Sequence, residues 1–249
     1  LTHPINRLDA CVDLLVTANH ILATEKVVDA LGHVSVRHPE RTDRFLMACS
    51  RPPGRVSRND IMEFDLDCQP IDQRGRSMYA ERPIHGALYQ SRTDVGAVVH
   101  NHAHDVLPFT VSTLPLQPLI HVGAVIGGPA PVWDIADGFG DTDMLVRTMD
   151  QGKDLAKTVG SGVCALMRGH GCVVVGKTLQ QAVLRSIYLM INARLQIASL
   201  PLGDLRYLSP GEIALSSEAM DSQLALERIW DYYSNRISQG DRTELDERS

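Results

Sequence analysis

The run Gly96-Ala97-Val98-Val99-His100-Asn101-His102 constrains this 249-residue chain more than any other segment. Its apolar first half reads as a buried strand, and side chains two apart on a strand point the same way. His100 and His102 are therefore two imidazoles on one face, placed to hold a single divalent ion. A third histidine, His170, lies further on between two short apolar runs, and Glu81 stands upstream just before a helix start. An H-x-H pair alone is a weak signal. Joined by a histidine flanked by glycines and a carboxylate at a helix start, it points to a metal site with chemistry to perform.

The rest of the pattern surrounds that strand with alternating elements. Helical spacing of Leu8, Cys11, Leu15, Ala18 and Leu22 predicts a helix over 6–30. Strands are expected at 32–37, 45–49 and 61–66. Pro83 suits the first turn of a helix running to about Ser91. A helix or loop follows at 103–110, then short strands mixed with turns over 115–133 and a helix over 141–158. Strands at 163–167 and 172–175 flank Arg168-Gly169-His170-Gly171, whose glycines favour a tight reversal. Helices are predicted over 178–198 and 218–234. Helices interleaved with hairpin-forming strands predict a layered α/β domain with a mixed sheet.

Composition narrows the class. With 44% hydrophobic residues the chain can bury one large core, so residues 1–249 read as a single domain, with 240–249 as a flexible tail. A net charge of −6 and no basic block argue against nucleic acid as a partner. No apolar run approaches the roughly 18 residues that span a bilayer. Leu1-Thr2-His3-Pro4 carries no leader pattern. Five cysteines without C-x-x-C spacing fit reduced thiols and a cytoplasmic location. His3, His20 and His38 are read as surface residues, and His104 as structural.

Taken in order, Gly32-His33-Val34-Ser35, Ser50-x-x-x-Gly54, Glu81, His100-x-His102 and Arg168-Gly169-His170-Gly171 resemble the class II aldolase/adducin family over about residues 6–215. The resemblance implies a three-layer αβα fold, with a mostly antiparallel central sheet covered by helices on both faces. It implies metal ligands at His100, His102 and His170, with Glu81 as ligand, acid/base or both. It also implies a homo-oligomer, a tetramer being usual, with sites at subunit interfaces. The metal expected is Mn2+, with Zn2+ as the alternative and no organic cofactor. His121 falls in a segment that lies near the site in relatives, which implies a substrate or proton-relay role, and Tyr207 sits in a C-terminal region that relatives can place over a neighbouring subunit's site.

Such a site stabilises the enolate-like charge left when a neighbouring C–C bond breaks, which suits retro-aldol cleavage and decarboxylation alike. Departures from the sugar-phosphate aldolase pattern choose between them. Where those aldolases cradle a phosphate with hydroxyl and amide donors, this chain has His33, a proline-stiffened Ser50-Arg51-Pro52-Pro53-Gly54 loop and a Tyr79-Ala80 pair. Ala80 offers no side-chain donor. Arg51 and Ser50, with Ser35 and His33 behind them, suit a carboxylate, and Tyr79 suits a flat ring. The chain is therefore similar to the decarboxylase branch, which implies as partner a small aromatic dicarboxylate bearing a hydroxyl beside the departing carboxyl. The resemblance favours 3-hydroxy-2-methylpyridine-4,5-dicarboxylate, with 3,4-dihydroxyphthalate as rival. An aldolase acting on an unphosphorylated hydroxy-keto acid and a non-enzymatic adducin-like module are the remaining readings.

Overall fold

The computed structural model describes the backbone of residues 7–246, with side chains described to residue 237. His3 and the end of the expected tail lie outside the described residues; up to Asp246 that tail continues the last helix. Among the described residues seven strands share one sheet. They are β1 (His33–Arg37), β2 (Arg44–Ala48), β3 (Ile61–Asp65), β4 (Ala97–Asn101), β5 (Val132–Trp133), β6 (Cys164–Met167) and β7 (Gly171–Gly176), in the order β3-β2-β1-β4-β7-β6-β5. Every pairing is antiparallel except β5–β6 at one edge. The fold is the expected mixed, mostly antiparallel α/β sandwich.

Strand alternation divides the core into two clusters. Val34, Val36, Ala97, Val99, Leu166, Cys172 and Val174 face one side, under α1 (Arg7–Thr24) and α6 (Leu179–Ser199), against which α8 (Gln223–Asp246) packs in turn. Phe45, Met47, Val98, Ala165, Val173 and Val175 face the other, under α2 (Pro83–Ser91) and α5 (Met149–Val159). Each fully buried Val, Leu, Phe or Met side chain among these contributes about 1.5–3 kcal/mol. β4 lies at the centre with every residue buried, which explains its unbroken apolar run.

The structure corrects four expected boundaries. α1 stops at Thr24 because Lys26 adopts a left-handed conformation, φ 59°, and turns the chain into β1. Residues 141–148 are loop rather than helix, because the reciprocal cap between Thr148 and Gln151 starts α5 at Met149. Residues 115–133 contain a 3-10 helix, His121–Ile126, and only the short β5 as strand. The terminal helix is two helices, since Ser209, Pro210 and Glu212 cap an additional α7 (Pro210–Met220) before α8. The other short helices are α3 (Leu107–Thr110) and α4 (Ile135–Phe139). No helix among the described residues is long and apolar enough to cross a membrane.

Candidate metal centre

Three loops and one strand end deliver the four expected ligands to one point. β4 places His100 on the α2 side of the sheet, directly opposite His33 of β1. The strand ends at Asn101, so His102 sits just beyond it, yet its ring still turns back to His100, with the two Nε2 atoms 3.0 Å apart. His170 occupies the β6–β7 turn, closed by a bond from its own N–H to the Met167 carbonyl, with Gly169 at φ 62°. Gly171 must be a glycine, since a Cβ there would stand 2.3 Å from the Asn101 carbonyl and 2.9 Å from the His102 ring. Glu81 lies two residues before Pro83, where α2 starts and which suits the fixed proline φ.

Each imidazole is oriented by its Nδ1. That of His100 lies 3.1 Å from the Cys172 carbonyl, that of His170 2.9 Å from the Met144 carbonyl and that of His102 3.4 Å from Asp29 Oδ1. These partners only accept, so Nδ1 holds the proton and Nε2 presents its lone pair inward. Glu81 Oε1 accepts the Val146 N–H at 2.9 Å, while Oε2 lies 3.5 Å from both His100 Nε2 and His170 Nε2. The four ligand atoms lie within 4.8 Å of one another. Around an ion with bonds of about 2.1 Å, adjacent donors stand about 3.0–3.4 Å apart. The set therefore fits a divalent cation, which also relieves the mutual repulsion of convergent lone pairs.

Burial and mutual charge set the protonation states. Burial pushes the Glu81 carboxyl up, but His100 and His170 outweigh it and hold the group well below the ordinary carboxylate range. Burial lowers His170, yet the facing Glu81 leaves it raised overall. His102 is pushed down to about 4, by burial first and then by the two neighbouring imidazoles. Asp29 is drawn down, against its burial, by the Leu31 and Gly32 N–H groups and by His102. Behind the centre, burial holds His33 and His85 neutral, with His85 pushed down to about 3.

The centre opens into a cleft of about 570 Å³ lined in part by Asp29, Leu31, His33, Ser50, Tyr79, Ala80 and Met144. His33, Ser50 and Tyr79 thus reach it as the sequence predicts. Tyr79 contributes its ring rather than its hydroxyl, which is engaged by the Arg51 carbonyl. Three expectations need correction. Ser35 is wholly buried beneath His33, bonded to His85 and Tyr89 instead of facing the cleft. The Arg51 guanidinium turns away to the Arg55 carbonyl at 2.9 Å and to Asp60 at 3.4 Å, local acceptors that its own loop supplies. His121 is exposed at the start of the 3-10 helix, which Asn192 of α6 pins by accepting the Leu119 N–H, so the structure does not bring it to this cleft.

Smaller readings also shift. Arg37 caps the Tyr89, Arg92 and Val95 carbonyls and stacks on the Tyr89 ring, away from the site. His38 is buried, accepting two backbone N–H bonds from Glu40 and Arg41, and His20 is half-buried with Nε2 2.8 Å from the Val56 carbonyl. Tyr207 bonds Gln196 rather than the cleft. The 141–148 loop was missed: it supplies the Val146 N–H and the Met144 carbonyl that hold Glu81 and His170. The T-x-x-Q cap at Thr148 was the available signal. Among the described residues no lysine or arginine lines the cleft, and Asp29, Glu81 and Asp143 make its wall acidic.

Comparison with known proteins agrees with this geometry. Residues 13–197 match the family model for the class II aldolase and adducin N-terminal domain. Decarboxylase tropJ of Talaromyces stipitatus is 33% identical over 92% of this chain and 94% of its own. A 3,4-dihydroxyphthalate decarboxylase of Arthrobacter keyseri is 29% identical over 70% of this chain and 73% of its own. An aldolase II superfamily protein from Pseudomonas syringae superposes with TM-score 0.78 at 19% identity, covering 95% of each chain. An L-fuculose 1-phosphate aldolase from Glaciozyma antarctica gives TM-score 0.76 at 20% identity, covering 98% of this chain and 96% of its own. The shared sheet, the match across most of the chain and the three-histidine, one-glutamate set converge: this chain belongs to the class II aldolase and adducin family.

Proposed function

We propose that the chain is a divalent-metal-dependent decarboxylase, removing the carboxyl group beside a ring hydroxyl from an aromatic acid. One observation carries the reading: three imidazole Nε2 atoms and a buried carboxylate converge at the floor of a cleft where, among the described lining residues, Ala80 offers no side-chain donor and no lysine or arginine is present to hold a phosphate. The decarboxylase names of the relatives from Talaromyces and Arthrobacter support it. The Arthrobacter name also favours a benzene ring of the 3,4-dihydroxyphthalate type as first substrate, with 3-hydroxy-2-methylpyridine-4,5-dicarboxylate as the alternative. Mn2+ is the preferred ion and Zn2+ the alternative, held by His100, His102, His170 and Glu81. When bound, such an ion supplies Lewis-acid stabilisation for the electron pair left behind as carbon dioxide departs.

The chain's own groups do the rest. Glu81, fixed through Oε1 by Val146, turns Oε2 into the centre, where it would help hold the ion and also take the ring-hydroxyl proton and pass it to the carboxyl-bearing carbon. The C–C bond to the carboxyl then breaks, carbon dioxide leaves, and its electron pair restores the aromatic ring as a phenolate, which regains its proton from water. The Tyr79 ring offers a flat wall for the substrate, and Ser50 and His33 offer polar contacts. The proposal includes a cytoplasmic homotetramer, in which exposed His121 acts only across a subunit boundary.

Purified protein assayed for metal content and for carbon dioxide release from hydroxylated aromatic carboxylates tests this directly. A near-stoichiometric divalent ion and carbon dioxide release are expected, and His102→Ala should reduce both to background. Release of an aldehyde from hydroxy-keto acids without decarboxylation, or full activity in metal-free His102→Ala, would overturn it.

A further inference from the structure

Beneath the cleft runs a buried chain of four polar side chains that binding of an ion does not require. His33 Nδ1 lies 2.7 Å from His85 Nε2, His85 Nδ1 lies 2.6 Å from Ser35 Oγ, and Ser35 Oγ lies 2.8 Å from the Tyr89 hydroxyl. Three of the four are essentially solvent-free, and His33 is 2% exposed. A buried polar chain is costly unless every donor finds an acceptor, so its proton positions follow from accounting. The Tyr89 phenol has one proton to give, and Ser35 Oγ is its acceptor among the described residues. Ser35 must then give its own proton to His85 Nδ1. The neutral His85 carries its remaining proton on Nε2 and donates it to His33 Nδ1. His33, also neutral, is left with its proton on Nε2, the nitrogen not committed to His85, on a side chain that lines the cleft.

We propose that Tyr89, Ser35 and His85 are positioning residues that lock His33 as a hydrogen-bond donor to the substrate oxygen on which negative charge grows. Read backwards, the same chain leaves the phenol proton buried without an acceptor and turns a lone pair toward that oxygen. The forward direction is therefore the one the burial selects. Phe45, stacked against His85 at 6.4 Å and 14°, and the tilted Tyr79 ring, 4.7 Å from His33, pack against the two imidazoles, whose planes are tilted 50° to each other. The register that sets His33 opposite His100 brings this donor beside the metal ligands. Its catalytic use rests on the decarboxylase reading, whereas the proton positions do not.

Two measurements separate those layers. Neutron diffraction from deuterium-exchanged crystals of the full-length protein should show deuterium on Nε2 of both His33 and His85 and none on either Nδ1. Deuterium on His33 Nδ1 would overturn the proposal whatever the reaction proves to be. The kinetic test is a cycle pairing Tyr89→Phe with His33→Asn, whose amide supplies a donor without needing the chain. Tyr89→Phe is expected to lower kcat about fivefold in the native background, the worth of one net hydrogen bond, and to leave KM nearly unchanged. It should have no further effect in His33→Asn. Equal losses in both backgrounds would mean that Tyr89 serves folding alone, and would sink the positioning role even if decarboxylation stands.

Discussion

At the level of single residues, the metal ligands are defined as much by what holds them as by their own chemistry. His100, His102 and His170 each present Nε2 because a carbonyl or carboxylate claims Nδ1. Two of those partners are backbone carbonyls and cannot be mutated away; the third is Asp29, which itself accepts the Leu31 and Gly32 N–H groups. Asp29→Asn should therefore weaken metal affinity by about 10–100-fold, as loss of an outer carboxylate does elsewhere, while leaving the fold intact. Isothermal titration of the metal-free protein measures it, and unchanged affinity would show that His102 needs no support. The ligands themselves were legible from residue types alone. Asp29 was not, because nothing in Val28-Asp29-Ala30 announces that a loop will fold it against a histidine far along the chain. Arg51 shows the converse. Its type suited a carboxylate, but Asp60 and the Arg55 carbonyl were nearer acceptors.

At the level of elements, the site depends on how α2 is seated. Glu81 lies two residues before the first residue of this helix, which lies against α5, and Gly152 of α5 makes the contact. A Cβ on Gly152 would stand 2.5 Å from the Pro83 carbonyl and 3.0 Å from the Ala87 Cβ. Gly152→Ala must push the two helices apart, at a cost of about 1–3 kcal/mol. The shift moves Pro83 and with it Glu81, so metal binding should weaken too. Urea unfolding reads the first effect and metal titration the second; a variant as stable as the native protein would show that the helices have room to spare. Strands, the start of α2 at Pro83 and the hairpin around His170 were all legible, because proline, glycine and alternation act locally. The loop over 141–148 and helix α7 were not, since their apolar residues imitate helix in one case and coil in the other. Capping residues, Thr148 with Gln151 and Ser209 with Glu212, were the more faithful signs.

At the level of the whole molecule, burying neutral histidines ties stability to pH. An unfolded histidine takes up its proton near pH 6.5, whereas folded His85 resists until about pH 3. Between those values the unfolded chain binds more protons, so stability falls as pH falls. For this one group the slope is about 1.4 kcal/mol per pH unit. His102, pushed down to about 4, adds to the slope in metal-free protein. Urea midpoints of the metal-free protein between pH 6.5 and 4.5 should drop steadily, and His85→Gln should flatten the slope by about one proton. An identical slope in that variant would mean that His85 is not the group excluded from protonation.

What the sequence determined by itself is the chemistry available: a buried strand ending in two imidazoles, a third at a glycine turn, a carboxylate before a helix, and an alternating pattern that permits only a layered sheet. Those properties are local, written in residue type and spacing. Tertiary structure decided which groups face the cleft and in what state. Ser35 went beneath His33, Arg51 went outward, His85 joined a buried hydrogen-bonded chain, and the loop over 141–148 closed on Glu81 and His170. Such choices follow from competition among partners distant in sequence, settled by burial and by the need to pair every buried polar group. No local pattern encodes the outcome of that competition.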